Sequence, residues 1–364
     1  MLETVSQPLP LALLALCIIC FIIIAFLLYK LSKLSTSKSH KTSVKLRSVN
    51  QKKQTDVPSD RFEQKADEAL RLRHTFQKFV PKQFVDHFAK HGATVLELGH
   101  AVEDDVAILF CDIRGFTGLS EKMSPQELMR FLNSYFLRMN DPIHLNSGFI
   151  DKFIGDAIMA LFDHPDGGDE DKAQDALCAA LDLRRALTIY NQHRQNSGYA
   201  SIDMGIGIHF GPVVLGTVGS DDRMDTTVIG DSVNIAYRLE ALAPIYQCDI
   251  VVSAQALQQA AQPERFTSRL LDWVKVKGRS NAIEIHEVIA HLPQEQQQLK
   301  QSNSALIKQG LGYRFKQNWV QAINCFEQAA KLSPEDHLPR LHILQCQQLA
   351  ESALPENWDG TVQL

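Results

Sequence analysis

Eighteen consecutive residues, Leu11 to Leu28 (LALLALCIICFIIIAFLL), hold no charged or strongly polar side chain. At 1.5 Å per residue such a helix spans roughly the 30 Å hydrocarbon layer of a bilayer. A cleaved signal peptide fits poorly: the leader MLETVSQ lacks lysine and arginine, and no small-residue cleavage site follows. A core helix so uniformly apolar at a chain terminus is rarer still. With Leu9 and Tyr29 added, the run predicts one transmembrane helix over 9–29 in the cell (inner) membrane. Lys30, Lys33, Lys38, Lys41, Lys45, Arg47, Lys52 and Lys53 all follow it. The positive-inside rule therefore puts residues 1–8 outside and the chain from 30 onward in the cytoplasm.

A net charge of −5 over 364 residues, with no basic stripe, gives no reason to expect a nucleic-acid partner. Cys17 and Cys20 alone share a zinc-like spacing, and they fall in the apolar run; the other cysteines are scattered, as reduced thiols are. Residues 30–60, rich in Ser, Lys, Thr and Gln, read as a juxtamembrane linker. Its lysines suit anionic membrane lipid, and equally a soluble linker. Phe62, Ala66, Ala69, Leu70, Phe76 and Phe79 then recur at near-helical spacing as far as Pro81. This helical transducer or dimerisation segment, 61–103, fits a helix packed on its own domain as well as a pair joining two protomers.

Residues 104–290 alternate strand and helix signals. Val106–Cys111 reads as a buried strand. Ser124-Pro125-Gln126-Glu127 is a capping box that opens a helix to about Met139. Phe149–Phe153 and Ala157–Phe162 form a hairpin about Gly155-Asp156. Ala173–Gln192 is helical, and Met204–Phe210 with Val213–Val218 reads as a second hairpin about Gly211-Pro212. Asp231 caps a helix from Ser232 to about Leu242, and strands at Asp249–Ser253 and Ile283–Val288 close an α+β sheet domain. Within 299–350, Leu306, Gly310, Tyr313, Trp319, Ala322, Phe326, Ala329 and Pro334 keep the spacing of one TPR-like helical hairpin. A single repeat cannot bury its own face. It is expected to cap the preceding sheet domain, with peptide binding as the alternative.

Asp112 ends the apolar strand VAILFC and precedes a glycine loop, and Asp156 occupies the turn of DKFIGDAIMALF. On neighbouring strands the two carboxylates converge at one sheet edge. Such hard oxygen ligands suit magnesium bound together with phosphate. Asn234 and Arg238 stand four apart on one helix face, opposite an apolar face of Val233, Ile235, Ala236 and Leu239. They aim at a cleft or at solvent.

LFCDIRGFTGLS (109–120), GFIDKFIGDAIMALF (148–162), GIGIHFGPVVLGTVGS (205–220), TTVIGDSVNIAYRLE (226–240) and VKVKGR (274–279) together resemble the class III adenylate/guanylate cyclase catalytic domain. The resemblance covers about Phe79 to Ile289 and implies a ferredoxin-like, palm-type domain. By it, Asp112, Asp156 and the Ile113 carbonyl hold two Mg2+ or Mn2+ ions per site. Lys152 and Thr227 read the purine, Asn234 orients the ribose, and Arg238 stabilises the transition state. Phe116 and Thr117 lie in the loop that cradles the phosphates, and Arg279 or Lys277 holds the terminal ones. The implied reaction turns ATP into 3′,5′-cyclic AMP and pyrophosphate at composite sites of a homodimer, for signal transduction. Lys152 and Thr227 stand against a guanylate cyclase, and the complete catalytic set stands against a non-catalytic nucleotide-binding dimerisation module. His209 is expected to be a strand histidine facing its neighbours. The regulatory input could be the membrane, bicarbonate, pH or a regulatory protein.

Overall fold

The computed structural model describes residues 98–364, except 165, 221, 276–281, 355–357, 359 and 364. Before residue 98 it describes only 65, 67–72, 75, 81, 82 and 84. The expected span 9–29 and linker 30–60 thus lie outside the described residues, as does most of the helical segment 61–103. Among the described residues no helix is long and apolar enough to cross a membrane. The chain divides into two compact units, Met1–Glu68 and Ala69–Leu364, and every strand and helix from Ala101 onward belongs to the second.

Strand β1 (Ala101–Ile113) leads through a short helix α1 (Phe116–Ser120) into α2 (Pro125–Leu145). The capping box forms as the sequence predicts: Ser124 Oγ accepts from the Glu127 amide at 3.4 Å, and the Glu127 carboxylate accepts from the Ser124 amide at 2.9 Å. The helix runs past the predicted end at Met139, with Pro142 inside it. Strands β2 (Gly148–Ile154) and β3 (Ala157–Phe162) make the expected hairpin, and α3 (Asp169–Asn196) returns the chain to β4 (Met204–Ser220). Sheet order β2-β3-β1-β4, antiparallel throughout, is the ferredoxin-like βαββαβ arrangement.

The hairpin expected at Gly211-Pro212 does not exist, because β4 is one continuous 17-residue strand paired with β1 along its length. The outer edge of β4 pairs with β6 over 206–208 and with β5 over 214–220, leaving 209–213 without a second neighbour. Proline is tolerated in such an open stretch, where no ladder bond needs its missing donor. The true hairpin partner of β4 is β5 (Arg223–Ile229). Helix α4 (Asp231–Tyr246) follows, starting one residue before the predicted Ser232, with Gly230 as cap and Asp231 in its first turn. Then come β6 (Ile250–Ser253), α5 (Ala254–Gln259), β7 (Ser268–Lys275) and β8 (Ile283–Val288).

Strand alternation sorts the core into two faces. Ala107, Leu109, Cys111 and Ile113 of β1 meet Phe131, Tyr135 and Met139 of α2 and Ala176, Leu177 and Leu183 of α3. Val106, Ile108 and Phe110 face the other way and pack with Val228 of β5 and Ala236 of α4. Helix α4 presses so close to β4 that a Cβ on Gly207 would lie 2.1 Å from the Glu240 amide nitrogen, which no side chain survives.

The C-terminal segment forms α6 (Gln294–Ser302), α7 (Ser304–Phe315), α8 (Trp319–Leu332), α9 (His337–Glu351) and a two-residue strand β9 (Val362–Gln363) beside β7. Ile307, Leu311, Ala322, Phe326 and Leu338 share a core with Leu239 and Tyr246 of α4 and with Leu271 and Val274 of β7. The helices therefore cap the catalytic sheet. Charges are buried at this junction. Arg314 and Asp272, both wholly inaccessible, form a two-pronged ion pair, and the Tyr246 hydroxyl donates to Asp272 at 2.9 Å. Arg269 bonds Glu287 at 2.7 Å and Asp336 at 2.9 Å. Arg314→Ala strands the Asp272 carboxylate and is expected to cost about 3–5 kcal/mol, read from the denaturant midpoint. A loss under 1 kcal/mol would show that the pair does not hold the cap.

Candidate active site

Asp112 follows the last β1–β3 pair, Cys111↔Ile158, so the register carries it alongside the β2–β3 turn. Gly155 takes φ 66° there, a left-handed conformation that suits glycine as the first residue of a two-residue turn, and Asp156 projects from the second. The Asp112 and Asp156 carboxylates lie close enough to act on each other. Burial, then Asp112, pushes the Asp156 carboxyl up to about 7. Asp156 Oδ2 is buried with no hydrogen-bond partner. Two repelling carboxylates, one with an orphaned oxygen, fit a hard divalent cation held together with a phosphate. Among the described residues no group of three or more His, Cys, Asp or Glu side chains that could hold a metal ion forms.

Glu240, which sequence reasoning missed, is pushed up to about 7 by burial and then by Asp112, against the pull of Arg114. Its signal was available: it stands one turn after Ala236, on the stripe of α4 that meets the sheet. Asn234 is exposed and Arg238 half-buried, one turn apart as expected. Tyr237 between them meets Phe110 edge-on at 5.4 Å, tying this stretch of α4 to β1. Phe116 packs on the core while Thr117 stands exposed at the start of α1. Ile113 is buried, and its amide donates to Asp112 Oδ1 at 3.0 Å. Lys277 and Arg279 lie outside the described residues. His209 is buried against Ser253 Oγ at 2.8 Å, a satisfied strand histidine.

Lys152 reaches Thr227 through an irregularity in β2. Ile150 pairs with Ala160 and Lys152 with Met159, so Asp151 is an extra residue, a β-bulge. Without the bulge, with Asp151 taking a place in the ladder instead, strict alternation from Phe149 would put Lys152 on the α2 face. With it, Lys152 shares the face of Phe149 and Met159, onto which β5 folds. Lys152 Nζ donates to Thr227 Oγ1 at 2.8 Å. The structure thus brings together Asp112 with Asp156, and Lys152 with Thr227.

The raised carboxyls carry a sign. Each binds its proton more tightly folded than unfolded, so this stabilisation is complete below the unfolded values near 4 and is lost as pH rises through about 7. The melting temperature of the metal-free chain is expected to fall from about pH 5 to about pH 8. Asp156→Asn should flatten that fall, and magnesium should raise the melting temperature at high pH only with Asp156 present. An unchanged slope in Asp156→Asn would count against the carboxylate pair.

Comparison with known proteins places this geometry. Residues 99–290, more than half of the chain, match the model described as the adenylate and guanylate cyclase catalytic domain. An adenylate cyclase of Anabaena cylindrica is 47% identical over 221 residues, 59% of this chain and 43% of that protein. Adenylate cyclase 1 of Rhizobium meliloti (strain 1021) is 34% identical over 220 residues, 59% of this chain and 32% of that protein. The structure of a bacterial light-regulated adenylyl cyclase is 26% identical, with a TM-score of 0.55 over 66% of this chain and 67% of that one. This chain spans less than half the length of these two curated relatives.

Proposed function

The chain belongs to the adenylate and guanylate cyclase family, and from that premise we propose that it converts ATP to 3′,5′-cyclic AMP and pyrophosphate. The observation that carries the choice of ATP is the 2.8 Å bond between Lys152 and Thr227. A lysine ammonium donates and never accepts, whereas a threonine hydroxyl does both. Side by side they complement adenine, which offers an acceptor at N1 and a donor at its 6-amino group. Guanine presents a donor at N1, which a lysine cannot meet. The matched adenylate cyclases support the same choice.

Asp112, Asp156 and the Ile113 carbonyl are the groups that would hold two magnesium or manganese ions, whose chemistry when bound is to offset triphosphate charge and activate the ribose 3′-hydroxyl. The backbone amides from Gly115 to Gly118 would receive phosphate oxygens, and Lys277 or Arg279 the terminal ones. Asn234 would orient the ribose for in-line attack on the α-phosphate. Arg238 would stabilise the charge that develops there.

The working form in this reading is a homodimer with composite sites. Exposed apolar side chains flank both halves of the machinery: Phe153 and Ile154 beside Asp156, and Met224, Ile229 and Tyr237 about Thr227 and Asn234. Covering them against a second copy would place one protomer's aspartates opposite its partner's purine pair. A single span over 9–29, a cytoplasmic catalytic domain and lipid contact by the linker belong to the same proposal, resting on the apolar run and the lysines after it. So does the TPR-like character of the C-terminal helices, supported by Gly310, where a Cβ would strike the Phe326 ring at 2.6 Å.

The test is cyclic nucleotide formation by the full chain, offered ATP or GTP with magnesium or manganese. Cyclic AMP from ATP is expected, with no turnover in Asp156→Ala and a loss in kcat of about 10²–10³ in Arg238→Ala. Product from GTP in preference would overturn the reading of Lys152 and Thr227. No product from either would overturn the activity.

A further inference from the structure

Asp151 is the extra residue of the β2 bulge, and its side chain is wholly buried while Lys152 beside it keeps 36% exposure. Neither Asp151 oxygen has a hydrogen-bond partner. The Lys152 ammonium, 3.4 Å from Oδ2, is the cation that faces it. Asp225, on β5 two residues before Thr227, adds a like charge. Burial pushes the Asp151 carboxyl up to about 6, against the pull of Lys152. A buried carboxylate with no amide or hydroxyl to bind is costly to keep.

Resting on the reading of Lys152 as the purine contact, we propose that Asp151 is the residue that positions Lys152 and so fixes adenine selectivity. A lysine ammonium has three N–H donors on a flexible four-carbon stem. One goes to Thr227, and the Asp151 charge draws a second back toward the strand. The third is left with a defined direction for a ring acceptor. The same charge acts as exclusion. An acidic residue at 152, which a guanine site would use, would lie beside a buried carboxylate and be repelled by it. Position 152 is therefore tied to a cation by its neighbour, and the bulge is what lets two consecutive side chains, which would otherwise point to opposite faces, meet.

The experiment compares the full chain with Asp151→Asn in three measurements: melting temperature, steady-state kinetics on ATP and on GTP, and the rate of Lys152 acetylation by acetic anhydride relative to the other lysines. Asp151→Asn is expected to melt within a few degrees of the parent. Its KM for ATP should rise about tenfold with kcat nearly kept, and its ATP-over-GTP preference should fall about tenfold. Lys152 should be acetylated several-fold faster once its counter-charge is gone. A purely structural Asp151 would shift the melting temperature and leave both the preference and the labelling rate where they were, and that result overturns the proposal. Turnover by the parent on neither nucleotide overturns the cyclase reading and the purine role with it. Turnover with unchanged preference in Asp151→Asn overturns the role of Asp151 alone.

Discussion

Helix α4 rests on β4 almost backbone to backbone, and most of what the domain can do depends on that contact. With no side chain at Gly207 in the way, Ala236 and Glu240 settle onto the strand. That fixes both the height of the helix above the sheet and its rotation. Rotation decides which residues face inward (Ala236 and Glu240) and which face out (Asn234 and, in part, Arg238). Height decides how near Glu240 comes to Asp112. The helix also divides its side of the sheet. One flank, with β5, covers β1 and β3, and the other, with α7 to α9, covers β6, β7 and β8.

Two kinds of buried charge serve opposite ends. Around Arg314–Asp272 and Arg269–Asp336 every guanidinium finds carboxylate oxygens, helped by Tyr246, Gln345 and Asn303. Such networks add little net stability over a well-packed apolar equivalent, but losing one partner is expensive. They specify one docking of the cap and penalise others. At Asp151 and at Asp156 the opposite holds: their buried oxygens have no donors. That arrangement costs folding energy and leaves groups that gain by meeting a ligand.

Much of this was legible from residue pattern. The capping box at Ser124 and the hairpin about Gly155-Asp156 depend on neighbours in sequence, and both form where local chemistry puts them. Asp112 and Asp156 were legible too, because a strand end and a turn tip are local features that needed only one pairing to converge. Gly211-Pro212 misled, since a turn signal was outweighed by thirteen residues of pairing with β1. Strand β5 was missed because its polar residues carry no alternation, although Thr227 on it was placed by family resemblance. The Arg314–Asp272 and Arg269–Asp336 pairs of the C-terminal cap join residues more than 40 apart, and no spacing rule reaches that far.

The extra residue in β2 gives that strand one point, and one only, at which its length can change without changing its faces. An exchange of one side chain alters one set of contacts. Loss of one residue changes parity, because faces alternate with each step along a strand. Asp151 is the exception, because it stands outside the ladder: without it Ile150↔Ala160 and Lys152↔Met159 would be consecutive pairs, with Lys152 still toward Thr227 and Phe153 still on the Phe136 ring, which it meets at 4.1 Å. A relative one residue shorter at this point can therefore keep the same ladder and the same faces, and what it would lack is the buried carboxylate beside the lysine.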